Sequence, residues 1–394
     1  MELLDRAPVD LLHWFRGLLG SFGVPPWIPA IVSALIIIGT IIGVFLGLFA
    51  LTSVMERKIL ARVQNRYGPN RVGPFGLFQP VADGIKMITK EDLVPRTADR
   101  VVHLLAPVVM MVPALMVLAI LPYGRGMVPA ELDAGILYFF AVGAGTEVAV
   151  FMAGWASNNK YSVLGAMRAI AQMISYELPL VISAIAAAMI AGSLSPSAIV
   201  AAQAGVGFLP GWFAFTPWGF AAALVFYICA LAESNRSPFD LPEGESELVA
   251  GHLTEYSGFK YATFFMAEYV GMFAICGMFV TLFLGGWQAP LPFLEIVPSW
   301  CWFFGKVCFV AFTMIWVRAT VPRLRIDHLL AFAWKFLLPM SFAAFLSAAA
   351  WHYAGRGPLA WGLSLVIVGI PYLALGTGFT KRFAVSRRTY QFSE

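Results

Sequence analysis

Nine apolar stretches, each about the length of a bilayer crossing, set the limits on what this chain can fold into. They run Pro29–Met55, Val101–Leu121, Gly135–Trp155, Val163–Ile190, Thr216–Ala232, Thr263–Gly285, Ser299–Thr320, Phe336–Tyr353 and Leu359–Thr377. A membrane helix needs about 20 mostly apolar residues, whereas a spanning β-barrel shows alternating segments of about ten, and the sequence has none of the latter. The expected fold is therefore all-α, a polytopic membrane protein of about nine transmembrane helices, with residues 1–394 as one integral membrane domain. Composition supports this: 12% of the residues are charged and 60% hydrophobic, against about 25% charged in a soluble domain. That excludes a water-soluble globular protein, a disordered chain and a nucleic-acid partner. The first stretch is too long for a signal-peptide core, and its flank mixes Glu2, Asp5 and Asp10 with Arg6 and Arg16, so it reads as a span.

Lysine and arginine orient the spans. With nine crossings, the segments after spans 1, 3, 5 and 7 share one side with the C-terminus, and that side holds 21 of the 26 basic residues. The expected topology is N-terminus outside and C-terminus cytoplasmic.

Two cytoplasmic segments are too long and too patterned to be plain connectors. Residues 56–100 form a basic loop, net +4, broken by Gly68, Pro69, Gly73, Pro74 and Gly76. Within it Phe78–Lys90 reads as a short amphipathic helix, with Val81, Ile85 and Ile88 on one face and Asp83, Lys86 and Lys90 on another. Residues 233–260 form an acidic loop, net −4, carrying Glu233, Asp240, Glu243, Glu245, Glu247 and Glu255. These acids alternate with Phe239, Leu241, Pro242, Leu248 and Val249, so some must be buried. Opposite charge on one side of the membrane predicts that the two segments pack together. The alternatives are a lipid-headgroup patch for the basic segment and a solvated acidic loop.

Glu147 and Glu177 carry the first chemical signal. Each lies inside an apolar span, about 12 and 21 Å from its cytoplasmic end at 1.5 Å per residue. Intramembrane acids are costly and usually mark ion or proton routes; the alternative is a neutral glutamate bonded to backbone or paired with a base. Pro179, just beyond Glu177, frees a backbone carbonyl in that turn. With the acidic segment and Glu268, these groups could form a proton-conducting chain to mid-membrane. Cys229, Cys276, Cys301 and Cys308 lie in the spans without a Cys-x-x-Cys pair, and His103 and His352 fall at opposite ends of the bundle. No metal or haem site is expected. Nor is there a phosphate-binding glycine loop.

At this point the sequence is familiar. The run from Glu56 to Lys86, with Arg57, Arg66, Gly68-Pro69, Gly73-Pro74 and Asp83, closely resembles the first cytoplasmic loop of the quinone-site membrane subunits (subunit 1, or H type) of proton-pumping NADH:quinone oxidoreductases, respiratory complex I. Gly154–Tyr161, Ser175-Tyr176-Glu177, Ala232–Leu248, Met266–Tyr269, Val317–Asp327 and Trp334–Pro339 resemble the same family. Met1–Trp27 and the ninth span lie outside these motifs. The resemblance implies a chain that forms the inner part of a quinone chamber against the peripheral arm and an acidic proton passage towards antiporter-like membrane subunits. It puts Glu177, Glu233, Asp240, Glu245, Glu247, Glu255 and Glu268 in that passage or its mouth, with Glu147 beside them. Glu56, Arg57, Arg66, Asp83, Lys86 and Arg236 would surround the chamber and its docking face. It further implies quinone as substrate, FMN and iron–sulfur clusters in partner subunits and none bound by this chain alone, no catalytic residue in the covalent sense, and residence in a bacterial plasma (inner) membrane.

Two other functions compete. The equivalent subunit of a membrane-bound hydrogenase would keep the acidic passage without needing a quinone; the full Arg/Gly/Pro-rich first loop favours the oxidoreductase. A stand-alone ion-coupled transporter would commonly show internal repeats with paired broken helices, and none is visible.

Overall fold

The computed structural model describes residues 25, 27–205, 211–241, 244–355 and 357–383. Among these, all regular structure is helical. In chain order the helices are α1 (Trp27–Val63), α2 (Gln79–Thr89), α3 (Arg100–Val117), α4 (Gly135–Gly143), α5 (Gly145–Ala156), α6 (Lys160–Ala191) and α7 (Pro196–Ala202). They continue with α8 (Pro217–Glu233), α9 (Glu245–Leu248), α10 (Gly258–Phe283), α11 (Ser299–Thr320), α12 (Ile326–Phe332), α13 (Leu338–Ala354) and α14 (Pro358–Phe383).

Eight helical segments among the described residues are long and apolar enough to cross a membrane, α4–α5 and α12–α13 each counting as one. The fifth expected span is the shorter apolar helix α8, of 17 residues, at the lower end of the length that suffices. All nine expected stretches thus find a helix. Local chemistry sets several starts. Asp99 caps α3 by accepting from the amides of Val101 and Val102, Asn159 caps α6 through Tyr161, and Thr216 caps α8 through Gly219, with Pro217 at the first turn.

Burial grades the helices. The apolar window of α10 is 72% buried and that of α6 50%, against 6% for α1 and 11% for α14. The core therefore lies around α6, α8 and α10, while α1 and α14 present apolar surface outward, as lipid-facing helices do. The third span is broken at Ala144 between two glycines. A methyl group on Gly145 would meet the ring of Pro113 at 3.0 Å, so the break brings α5 close to α3.

Three expectations need correction. The basic segment does not begin at Glu56, because α1 runs on to Val63. Its 37 residues span about 55 Å, far more than a hydrocarbon core of about 30 Å, so Glu56 and Arg57 belong to a helix, not a loop. Likewise Glu233 ends α8 and Lys260 lies in the first turn of α10, which starts at Gly258, leaving a connector shorter than 233–260. The third concerns how the segments pack. They do touch, but through the minority charge of each. Asp92 of the basic segment pairs with Lys260 at 2.8 Å, and Glu56 pairs with Arg236 at 2.8 Å. Ser257 Oγ accepts from the Leu93 amide and donates to the Glu91 carbonyl, stitching the same seam.

Helix α2 forms where the periodicity places it, and its apolar residues Val81, Ile85 and Ile88 are all exposed. In the acidic segment Phe239, Leu241 and Leu248 are buried while Val249 is exposed. Pro242 and Glu243 lie outside the described residues.

Candidate functional site

Two acid-bearing groups, one built on a buried glutamate and the other on half-buried glutamates, sit side by side at the end of the bundle that carries the charged segments. The first is built on Glu56, 3% exposed, from the projecting turns of α1. Its Oε2 accepts from Arg236 at 2.8 Å and from the Tyr269 hydroxyl at 2.6 Å, and its Oε1 accepts from Arg318. The Arg236 guanidinium also lies over the Tyr269 ring, 4.2 Å from its centre, a cation–π contact. Burial works against the charge of Arg236, but Glu56 and Tyr269 outweigh it, and the guanidinium is held above its usual range. One carboxylate thus ties α1, the connector after α8, α10 and α11 together. A carboxylate between two guanidinium groups has its charge and most of its lone pairs satisfied.

The second group surrounds an internal cavity of about 90 Å³, enough for several water molecules. Glu177 of α6, Glu233 at the end of α8 and Glu268 of α10 line it, with Ser234, Asn235, Thr146 and the broken third span at Gly143-Ala144. Among the described residues, no lysine, arginine or histidine lines it. Glu147, one turn beyond the break, is hydrogen-bonded to Glu177, and Glu233 lies within electrostatic reach of both. Glu147 Oε1 and Glu233 Oε2 are buried with no hydrogen-bond partner among the described residues, and buried polar atoms of this kind are commonly met by water.

The remaining expected residues fall outside both groups. Glu247 is exposed and pairs with Arg168 at 2.6 Å; the Arg168 hydrogen bond holds its carboxyl below the usual range. Glu255 accepts from Asn159 at 2.7 Å. Asp240 follows the buried Phe239, and Glu245 opens the one-turn α9. Arg57 pairs with Asp83 at 2.7 Å on the surface, joining α1 to α2. Arg66 bonds Gln64, and Lys86 lies exposed in the last turn of α2.

Sequence reasoning misses three residues that build the site. Arg318 and Tyr269 both lie in the motif stretches, but nothing in their spacing pairs them with Glu56. Gln172 is fully buried and gives no signal, being an uncharged residue within an apolar span.

The two groups are joined along the chain. Glu233, Ser234 and Asn235 line the cavity and Arg236 holds Glu56; Glu268 lines the cavity and Tyr269 bonds Glu56. The cavity wall thus carries three acids among mostly apolar residues and lies, at two places, one residue along the chain from a side chain that bonds Glu56.

Comparison with known proteins agrees. The sequence model of the NADH dehydrogenase family matches residues 36–349, leaving out the N-terminal residues and α14. Among curated proteins, the H-type subunit of NADH-quinone oxidoreductase from Geobacillus kaustophilus is 51% identical over 303 residues, covering 76% of this chain and 88% of that protein. The protein of the same name from Dehalococcoides mccartyi is 48% identical over 322 residues, 80% of this chain and 85% of that one. That of Carboxydothermus hydrogenoformans is 50% identical over 289 residues, 73% and 80% respectively. The match spans both acid-bearing groups, and on it the chain belongs to the NADH dehydrogenase family.

Proposed function

We propose that this chain is the quinone-site membrane subunit of a proton-translocating NADH:quinone oxidoreductase, acting as one integral membrane domain of a bacterial plasma membrane. The carrying observation is the water-sized cavity with Glu177, Glu233 and Glu268 on its wall, Glu147 bonded to Glu177, and no basic residue lining it among the described residues. In a charged protein interior acids normally meet bases; acids grouped round water are arranged to pass protons.

Reduction of a quinone to a quinol takes up two electrons and two protons. In this reading flavin and iron–sulfur clusters in peripheral-arm subunits supply the electrons, and this chain supplies binding surface and protonatable groups. Glu147, Glu177, Glu233 and Glu268 form the inner passage. Asp240, Glu245, Glu247 and Glu255 form its cytoplasmic mouth. Glu56 and Arg236, with Arg318 and Tyr269, hold the wall between passage and quinone chamber. Arg57, Asp83, Arg66 and Lys86 belong to the face on which the peripheral arm docks, and the uncovered apolar side of α2 is suited to that contact. Antiporter-like subunits would receive the proton-coupled signal. The basic flank of the spans sets the charged end in the cytoplasm. The motif stretches through residues 56–86 favour this reading over the hydrogenase alternative.

Glu177→Gln tests it. The amide keeps the shape but cannot pass a proton, so the variant should assemble with its partners and oxidise NADH with an artificial acceptor at the normal rate. Quinone turnover and proton pumping in reconstituted vesicles should be lost together, with Glu177→Asp retaining part of both. Wild-type pumping by Glu177→Gln would end the reading.

A further inference from the structure

Gln172 lies on α6 one turn before Tyr176 and is fully buried. Its Nε2 donates to the Ala232 carbonyl at 2.8 Å and to the Phe239 carbonyl at 2.8 Å, with Asn235 Oδ1 at 3.4 Å. Backbone carbonyls only accept, so these partners fix which end of the amide faces them. Each carbonyl immediately precedes an acid: Ala232 comes before Glu233 and Phe239 before Asp240. The stretch between them is irregular, with Asn235 in the left-handed region at φ +48°, so no helix sets the distance from one acid to the other.

The same face of α6 grips this stretch again one turn on. The Tyr176 ring meets Phe239 edge-on with centres 5.4 Å apart, and its hydroxyl donates to the Leu329 carbonyl at 3.0 Å. The next residue round the helix is Glu177, turned to Glu147 and the cavity. One rigid helix therefore carries Glu177 and also holds the backbone that carries Glu233 and Asp240.

We propose that Gln172 is a positioning residue of the acidic passage: by tying two backbone carbonyls to α6, its amide sets the spacing of Glu233 and Asp240 relative to Glu177. The inference rests on the passage reading given above. Proton transfer needs contact at about 2.6–3.2 Å or through one water, and a misplacement of about 1 Å can cost on the order of a hundredfold.

The test is Gln172→Met in the assembled complex, a side chain of similar length with no donor. NADH oxidation with an artificial acceptor should stay normal per assembled enzyme. The kcat for quinone should fall roughly tenfold or more at unchanged KM, with a changed pH profile, because the displaced groups are protonatable. Gln172→Asn, which keeps an amide on a shorter stem, should recover part of kcat. A wild-type kcat and pH profile in Gln172→Met overturns the proposal. So does turnover lost only in proportion to assembled enzyme in both variants, since the amide would then hold the fold and not the spacing. Glu177→Gln separates the two levels. If that variant pumps normally, the passage reading fails; if it does not pump while Gln172→Met does, only the positioning role fails.

Discussion

Glu56 and Glu177 are the same side chain, the first buried and the second half-buried, yet they sit in opposite surroundings. Glu56 is gripped by two guanidinium groups and a phenol. Glu177 faces a second carboxyl and a small cavity that no base lines among the described residues. Counter-charge decides what a buried acid can do. The first becomes a tie between helices, since removing one partner of a buried pair strands the other; the second, beside another carboxyl on a cavity wall, stands where the proposed passage needs an acid that can take up and release a proton. The two are also mechanically joined, through Asn235–Arg236 and Glu268–Tyr269, so displacing one environment displaces the other.

The contrast can be broken by mutation. Glu56→Gln should be the most damaging single change, costing about 3–5 kcal/mol by leaving buried Arg236 without its anion. The thermal stability and yield of the assembled complex would report it, and an unchanged melt would mean the tie is dispensable. Glu233→Gln should do the reverse. Coupled quinone turnover should drop on the order of a hundredfold, the scale of a lost proton-transfer group. Its stability should change by no more than about 1 kcal/mol, the amide filling the same space. A melt as poor as that of Glu56→Gln would erase the distinction between the two regions.

A third kind of buried group, with neither a counter-charge nor an acid in contact with it among the described residues, sharpens the comparison: it packs against Phe264 and the start of α6. His252 is buried with neither ring nitrogen hydrogen-bonded among the described residues, and burial pushes it down to about 4. The unfolded chain takes up its proton near pH 6.5 and the folded one does not. Stability from this group is therefore complete above about pH 6.5 and is lost as pH falls towards 4, by up to about 1.4 kcal/mol per unit. Hydrogen exchange in residues 251–257 should accelerate over that window, and His252→Phe should abolish the acceleration. The smallest effect belongs to the exposed Arg168–Glu247 pair, where Arg168→Ala should cost less than about 1 kcal/mol.

These cases show where sequence reasoning succeeds. Eight of the nine expected spans are legible as crossings, because a bilayer demands a length that hydropathy records; the other, α8, is apolar but shorter. Glu177 is legible as an acid where acids are expensive. The end of α1 is not: the charges at Glu56, Arg57 and Lys58 end the apolar run, but helix does not stop at charge, and α1 runs on to Val63, just before the Gly68-Pro69 turn. Partners are harder still. Gln172 meets a carbonyl 60 residues away and Arg318 meets Glu56 across 262, separations that no local pattern encodes. Net charge misleads about the seam between the charged segments because it is a sum, whereas Asp92–Lys260 is a contact.

The size of the acidic cavity has a consequence for traffic. Pockets that take small organic ligands enclose about 300–1,000 Å³, and this one, at about 90 Å³, has room for a few water molecules and not for a quinone ring. Substrate and protons would then use separate compartments divided by the Glu56 wall. In the proposed passage, what crosses that wall would be a change in field or in the order of a few water molecules, with the quinone itself kept away from the acids.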